Sequence, residues 1–197
     1  MKRTFDVVVS AAALLALAPV LALVAVAVRL ESRGPVLFRQ QRVGKGGRLF
    51  AMLKFRTMRV DESEGAGARV PQVEDFSSYV FDPLYGGKRY TRIGALLRKT
   101  SLDELPNLVN VLRGDMSIVG PRPEVPELVD QYPPQYRRRH DVRPGVTGLA
   151  QINGRGSLTY EEAMHYDLDY VDDHSFSRDL AILARTVPVV LSRKGAQ

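Results

Sequence analysis

Residues 7–28 read VVVSAAALLALAPVLALVAVAV, an apolar stretch of 22 residues without a charge. Only Ser10 and Pro19 interrupt its apolar character. At about 1.5 Å per residue, a helix of this length would reach roughly 33 Å, more than the roughly 30 Å of a bilayer's hydrocarbon core. A helix that is apolar on every side is rarely the core helix of a soluble protein. The stretch therefore predicts association with a membrane.

Three arrangements of this stretch are open: a cleaved signal peptide, a single spanning helix and a re-entrant hairpin. A basic start and the sequence AVA at residues 25–27 are typical of a signal peptide, but the apolar run exceeds the usual length of about 7–15 residues. Basic residues favour the cytoplasmic side of a membrane, and here they flank both ends. A spanning helix would place one flank on the wrong side, whereas a hairpin places both correctly. The flanking residues are Lys2, Arg3, Arg29, Arg33, Arg39, Arg42 and Lys45.

Pro19, near the middle of the stretch, favours the hairpin. Proline removes one backbone hydrogen bond of a helix and clashes with the preceding turn. Residues 7–18 alone would reach only about 18 Å as a helix, roughly one leaflet. Because proline kinks are also tolerated in spanning helices, that alternative stays open. We predict a re-entrant helix–break–helix over residues 1–33 and one further domain over residues 34–197.

The composition narrows the range of partners without choosing among them. The 197 residues include 28 Lys and Arg against 22 Asp and Glu, which gives a formal net charge of +6. A basic surface suits phosphate-rich partners such as nucleic acid, anionic lipid headgroups or nucleotide substrates. The sequence has no Cys, so disulfides and thiolate metal sites are excluded.

The hydrophobic periodicity of residues 34–197 predicts an α/β fold that is mostly helical with short strands. Lys54 and Arg56 fall on the polar face of one predicted strand, a position typical of a solvated surface. Residues 137–139 form an arginine run, which is typical of a solvated or lipid-facing surface. Residues 61–87 are polar and rich in Gly, Pro and Ser, which predicts a long loop or a partly ordered insertion. The predicted strands are residues 36–38 and 49–58, and residues 116–119 are predicted as a short strand or a buried turn. The predicted helices are a basic amphipathic helix around Ile93, Leu96 and Leu97, and residues 105–112, 160–170 and 179–191, the last interrupted by Pro188.

The segment TSLDELP at residues 100–106 has two interpretations. Ser101 and Glu104 have the spacing of a capping box, which would simply begin a helix. Alternatively Pro106 occupies the first helical position, where proline is favoured, and Asp103 and Glu104 lie just ahead of a helix N-terminus that attracts phosphate. Two carboxylates beside a phosphate repel it unless a cation intervenes. Mg²⁺, bound by one or two carboxylates and phosphate oxygens, would remove the conflict. Further positive charge would come from Lys54, Arg98 and Arg122.

At this point the sequence resembles the bacterial sugar transferases, the monotopic polyprenyl-phosphate phosphoglycosyl transferases. The similarity covers nearly the whole chain and rests on long motifs in the family's order. One departure lies at Ala18, where several members have Ser before the hairpin proline. The motifs are GPVLFRQ (34–40), RVG (42–44), KFRTM (54–58), TSLDELP (100–106), NVLRGDMS (110–117), GPRP (120–123), RPGVTG (143–148) and QINGR (151–155).

The resemblance implies a monotopic membrane enzyme with a re-entrant helix and interfacial amphipathic helices, on the cytoplasmic face of the bacterial inner membrane. Asp103 is implied to be the nucleophile that takes a sugar 1-phosphate from a UDP-sugar, releasing UMP, before undecaprenyl phosphate accepts it. Glu104 is implied to help hold Mg²⁺ or manage protons. Lys54, Arg98 and Arg122 match basic family positions near the phosphates. The implied role is the first membrane step of glycoconjugate assembly.

Two rival hypotheses remain. A non-enzymatic, membrane-anchored basic module that binds lipid or nucleic acid would explain the charge and the anchor, but not the specific flanks of Asp103. Direct transfer, with Asp103 as a base, would keep the enzyme without a covalent intermediate. For the enzyme we expect membrane lipids as partners and no nucleic acid. The sugar, the glycan pathway, formation of a homo-oligomer and the role of residues 61–87 stay open.

Overall fold

The computed structural model describes residues 1–59, 72–80, 90–154 and 157–192, and these residues are mostly helical with a few short strands, as predicted. Two strand pairs form: β1 with β2, antiparallel, and β3 with β4, parallel. The helices are α1 (Lys2–Ala16), α2 (Ala18–Glu31), α3 (Arg92–Thr100), α4 (Asn107–Arg113), α5 (Pro126–Val129), α6 (Leu149–Asn153), α7 (Tyr160–Asp172) and α8 (Phe176–Ser192). The strands are β1 (Leu37–Val43), β2 (Leu49–Phe55), β3 (Ser117–Val119) and β4 (Gly145–Thr147). The 3₁₀ segments are Lys45–Gly47, Leu102–Glu104 and Pro134–Asp141.

Helices α1 and α2 meet at Leu17 with a bend of 63°. Pro19 occupies the first turn of α2, where its missing N–H leaves no hydrogen bond unmade. The helix thus bends two residues before Pro19, while the role of Pro19 as the break of a membrane hairpin stays a prediction. Among the described helices, none alone is both long and apolar enough to cross a membrane; the bent pair taken together meets the requirements of length and composition, and of those alone.

The first turns of α1 are fastened to the rest of the protein by polar contacts. Lys2 Nζ lies 2.5 Å from Asp179 Oδ2 on α8. The buried carboxylate of Asp6 accepts hydrogen bonds from Ser117 Oγ at 2.9 Å and from the Ile118 amide at 3.1 Å. The N-terminal end of the helix pair is thus part of the packed protein.

The C-terminal end of α2 is held by Arg56, which follows β2. Its guanidinium donates to the Ser32 carbonyl at 2.7 Å, to Ser32 Oγ at 2.9 Å, to the Val28 carbonyl at 3.2 Å and to the Pro35 carbonyl. Only 4% of Arg56 is exposed, so the prediction of a solvated position was wrong. The reason is that the last carbonyls of a helix need donors, and a guanidinium supplies several at once.

The strand pair β1–β2 packs against helix α4. In the antiparallel register Phe38 faces Lys54, and the turn uses Gly46 at φ 66°. Asn110 of α4 is fully buried; its Oδ1 accepts from the Leu53 amide at 3.0 Å and its Nδ2 donates to the Ala51 carbonyl at 2.8 Å. One amide side chain therefore fixes α4 against β2.

Several exposed apolar side chains lie on α1, α2 and α3. On α3, Leu97 is 2% exposed and packs on the core, while its neighbour Leu96 is 58% exposed. This confirms the amphipathic character predicted for α3. The other exposed large apolar side chains on α1 and α2 are Val8, Val9, Leu15, Val20, Leu23, Val26 and Leu30.

Two further predictions are corrected by the structure. Helix α8 continues through Pro188, because packing of its apolar face, including buried Ile182, outweighs one lost backbone bond. The arginine run is not uniformly solvated: Arg139 is 3% exposed and Arg138 is exposed.

Most of the predicted loop at residues 61–87 lies outside the described residues. Within it, residues 72–80 pack on α7, where the Tyr160 amide donates to the Tyr79 carbonyl at 2.7 Å.

Candidate active site

Asp103 and Glu104 lie in the 3₁₀ segment Leu102–Glu104, between α3 and α4. Ser101 ends α3 in the left-handed conformation, at φ 57°, and its side chain makes no capping hydrogen bond to this segment. The capping-box interpretation was therefore wrong. Helix α4 begins at Asn107, directly after Pro106, so the alternative interpretation placed the two carboxylates correctly.

The Glu104 carboxylate is shared by two cations. Its Oε1 accepts from Lys54 Nζ at 2.9 Å and from Arg122 Nη2 at 2.9 Å. Burial alone would raise the pKa of Glu104, but the charges of Arg122 and Lys54 and their hydrogen bonds hold this pKa well below its ordinary value. Glu104 is consequently an ionised group that fixes two basic side chains at one point.

The adjacent Asp103 carboxylate is buried, with 6% of the residue exposed, and accepts no hydrogen bond from any residue in the described ranges. Burial, followed by the neighbouring charge of Glu104, raises the pKa of Asp103 against the opposing effect of Lys54, Arg98 and Arg122. A carboxylate with a raised pKa and unengaged lone pairs is more basic than an ordinary Asp. It is available to an incoming electrophile, proton or cation.

Three basic side chains surround the acidic pair. Burial lowers the pKa of Lys54, partly offset by Glu104, whereas Glu104 raises the pKa of Arg122. Arg98 acts on Asp103 through its charge, and its guanidinium lies 5.1 Å from the centre of the Tyr90 ring. The structure thus gathers all five predicted residues, four by direct contact or adjacency and Arg98 through its electrostatic effect. With three cations against two carboxylates, the site carries one net positive charge and suits an anionic substrate.

Comparison with known proteins now bears on this geometry. The profile described as "Bacterial sugar transferase" matches residues 1–193. The chain belongs to this family. Among similar proteins, a UDP-glucose:undecaprenyl-phosphate glucose-1-phosphate transferase of Caulobacter vibrioides is 46% identical over 99% of this chain and 71% of that protein. An uncharacterised sugar transferase of Bacillus subtilis is 41% identical over 100% of this chain and 90% of that protein. An exopolysaccharide production protein of Sinorhizobium fredii is 39% identical over 99% and 87% respectively.

The resemblance drawn from the motifs is therefore confirmed, and the structure shows where the motifs of this sugar transferase lie. KFRTM places Lys54 at the end of β2, TSLDELP carries the acidic pair, and GPRP carries Arg122. RPGVTG forms β4 beside GPRP: the Gly145 amide donates to the Pro121 carbonyl at 2.8 Å. Arg155 of the last motif lies outside the described residues.

Four buried charged residues behind the GPRP loop were missed by the sequence reasoning. Their positions carry no periodic signal, and two of them lie in segments whose composition is typical of solvated surface. The two partners of each ion pair lie 28 or 82 residues apart along the chain. Their pairing therefore cannot be recognised from local sequence, in which each residue looks like an ordinary surface charge. They are the pairs Arg42–Glu124 and Arg139–Asp167.

The acidic pair bears on the binding of a divalent cation. The described residues contain no group of three or more His, Asp or Glu side chains placed to hold a metal ion. Mg²⁺, however, is commonly bound by one or two carboxylates, with water and substrate phosphates completing its shell. The unengaged carboxylate of Asp103 beside Glu104 fits that class of site, so an ion here would depend on phosphate oxygens from the substrate.

Proposed function

We propose that this sugar transferase moves a sugar 1-phosphate from a UDP-sugar to undecaprenyl phosphate and releases UMP. The observation that carries the proposal is the buried Asp103 carboxylate, which accepts no hydrogen bond from the part of the chain that the structure describes and lies beside Glu104, whose charge two cations offset. Phosphoryl transfer depends mainly on positioning and on charge neutralisation, and the site supplies both. The Caulobacter relative is named for this donor class and this acceptor.

In the proposed reaction, a carboxylate oxygen of Asp103 attacks the sugar-linked phosphorus of the UDP-sugar. The bond from that phosphorus to the bridging oxygen breaks, and UMP leaves with the electron pair. A phosphate oxygen of the lipid acceptor then attacks the same phosphorus and releases Asp103. Lys54 and Arg122 offset the charge of the phosphates, and Glu104 keeps both in place. Two easier steps replace one difficult step.

Mg²⁺ is proposed as the cofactor, with Asp103 and Glu104 as its protein ligands. When bound, it would neutralise charge on the phosphate oxygens.

We further propose that α1 and α2 form a re-entrant hairpin in the bacterial inner membrane, with the site on its cytoplasmic face. Lys2 at the start of α1 contacts Asp179, and Arg56 contacts Ser32 just after α2. Both ends of the helix pair are therefore attached to the same packed protein. This supports a hairpin over a spanning helix, because a spanning helix would carry Lys2 to the opposite side of the bilayer.

The test is release of UMP by the full chain in detergent, screened over UDP-sugars beginning with UDP-glucose, with undecaprenyl phosphate and Mg²⁺ supplied. Asp103→Asn should abolish release, while Asp172→Asn, the same change at an exposed position, should leave it unchanged. Without acceptor, wild type should exchange labelled UMP into the UDP-sugar, because the first step is reversible.

Three results would count against these claims. Retained turnover in Asp103→Asn would exclude its role. Turnover without UMP exchange would exclude the covalent step and favour direct transfer. No UMP release from any UDP-sugar, together with vesicle binding that survives in Asp103→Asn, would favour a membrane-anchored binding module.

A further inference from the structure

The loop of residues 120–124, which carries Arg122, is fixed by a hydrogen bond to the backbone of every one of its residues. The loop is mostly buried, where backbone groups need partners, and two of the five donors are guanidiniums rather than backbone amides. The bonds are Gly120 amide to Thr147 carbonyl (2.9 Å), Gly145 amide to Pro121 carbonyl (2.8 Å), Arg139 Nη2 to Arg122 carbonyl (2.7 Å), Arg42 Nη1 to Pro123 carbonyl (3.1 Å) and Val43 amide to Glu124 carbonyl (2.9 Å).

Arg139 is the donor that acts on the Arg122 residue itself. Its Nη2 also donates to Asp167 Oδ2 at 2.5 Å, and its Nη1 donates to the Tyr132 hydroxyl at 2.6 Å. Arg139 and Asp167 are 3% and 2% exposed, so the pair is deeply buried. Its Nη1 also reaches a fourth acceptor, the Tyr160 hydroxyl, at 3.4 Å, and the planar fork of the guanidinium sets the directions of these bonds.

Burying this pair is costly in free energy. Taking two charges out of water costs several kcal/mol per ion, and a well-packed apolar pair is often as stable. Burial raises the pKa of Asp167 to about 6 in spite of Arg139, and its Oδ1 has no partner among the described residues. Since stability alone does not favour this pair, its position directly behind Arg122 calls for another reason.

We propose that Arg139, held by Asp167, is a positioning residue that sets the backbone of Arg122 so that its guanidinium reaches both Glu104 and the substrate phosphates. This rests on the proposed function. Arg122 is partly exposed and bonds Glu104 at one oxygen, so its long side chain depends on its backbone for aim. Arg139 does not touch the substrate.

The test replaces the buried pair by apolar side chains of similar size, Arg139→Met with Asp167→Leu. Arg138→Met with Asp172→Leu is the matched control, because it removes an exposed Arg–Asp pair between the same two segments. Each pair is introduced into wild type and into Arg122→Ala. UMP release and the affinity for UDP, measured by calorimetry, are compared across the cycle, and unfolding midpoints confirm folding.

A positioning role predicts a loss that depends on Arg122. In the wild-type background we expect the buried-pair variant to lose about 10- to 100-fold in kcat/KM, as expected for a misplacement of about 1 Å. In Arg122→Ala the same substitutions should change kcat/KM by less than about twofold, because the group being positioned is absent. UDP affinity should follow the same pattern, and the control pair should have no effect in either background.

Equal losses in both backgrounds, or no loss in either, would overturn the proposal. If the buried-pair variant does not fold, Arg139→Lys, which keeps the charge but loses the fork, enters the same cycle with the same criterion. Failure of the proposed function is distinct: wild type would then release no UMP, whereas UDP affinity would still report whether Arg139 acts through Arg122.

Discussion

Replacing Glu104 with Gln removes a charge from the oxygen that two cations share, while it keeps an acceptor in nearly the same place. Glu104 Oε1 lies 2.9 Å from both Lys54 Nζ and Arg122 Nη2. Lys54 and Arg122 stay cationic, so both bonds remain charge-assisted, and what is lost is the attraction between opposite charges. Exchanging an ionised acceptor for a neutral one should therefore cost roughly 1 kcal/mol for each bond. Because the Arg122 side chain is 39% exposed, its share is discounted, and we expect a total loss of about 1.5 kcal/mol.

The pH dependence of this loss follows from the pKa of Glu104, which lies well below the ordinary value of 4.5. A depressed carboxyl pKa stabilises the folded state fully above the unfolded pKa, and the stabilisation is lost as the pH falls through the folded pKa. The stability difference between wild type and Glu104→Gln should therefore be constant near neutral pH and shrink below about pH 4.5.

The same substitution acts on Asp103. Because the charge of Glu104 helps to raise the pKa of Asp103, its removal should lower that pKa. The acid limb of UMP release should then move to lower pH in Glu104→Gln, measured on the residual activity.

The assay is thermal unfolding in detergent at pH 7 and pH 4, together with the pH profile of UMP release. A loss of about 1.5 kcal/mol corresponds to a fall in midpoint of about 3–6 °C for a chain of this size. Glu127→Gln, at an exposed position on α5, is the control and should leave the midpoint unchanged. An unchanged midpoint in Glu104→Gln, or an acid limb that stays or moves upward, would refute the reasoning.

Three other predictions follow from single contacts. Gly94→Ala should cost about 3 kcal/mol in unfolding experiments, since its Cβ would lie 2.0 Å from the Thr57 carbonyl oxygen; an unchanged midpoint would contradict the packing of α3. The alkaline limb of the pH profile of UMP release should lie below pH 10.5, because burial lowers the pKa of Lys54. Lys54→Arg should move this limb to higher pH, and a wild-type limb above pH 10.5 would exclude Lys54 as its origin. Asp6→Ala should cost about 2–4 kcal/mol and speed proteolysis of α1, because it orphans a buried hydroxyl and a buried amide; unaltered proteolysis would show that α1 is held by other contacts.

Local rules predicted the parts of the fold that local chemistry controls. Pro19 marked the break between α1 and α2, and Gly114, at φ 91°, ended α4 next to the predicted position. Asp103, Glu104, Lys54 and Arg122 could be predicted because each lies in a long sequence motif that identifies it. Their shared contact at Glu104 is a property of the folded chain, which the motifs alone do not contain.

The remaining errors concern charges whose partners are far along the chain. Arg56 and Arg139 look like surface residues in sequence, because a polar residue in an alternating or basic run normally faces water. In the structure Arg56 donates to carbonyls that follow α2, and Arg139 donates to the Arg122 carbonyl and to Asp167. No pattern of hydrophobicity records that a backbone carbonyl elsewhere needs a donor.

The double attachment of the N-terminal helix pair has a consequence for anyone seeking a detergent-free form of this enzyme. Deleting residues 1–33 would remove the lysine partner of Asp179 and three of the four acceptors of Arg56, and it would leave the Ile118 amide without the Asp6 carboxylate. It is better to keep both helices and to change only their exposed side chains. Polar substitutions at the exposed apolar positions would leave the buried contacts unchanged, and under the proposed membrane hairpin they should reduce the need for detergent. The most exposed of these positions on α1 and α2 are Val8, Leu15, Leu23 and Leu30.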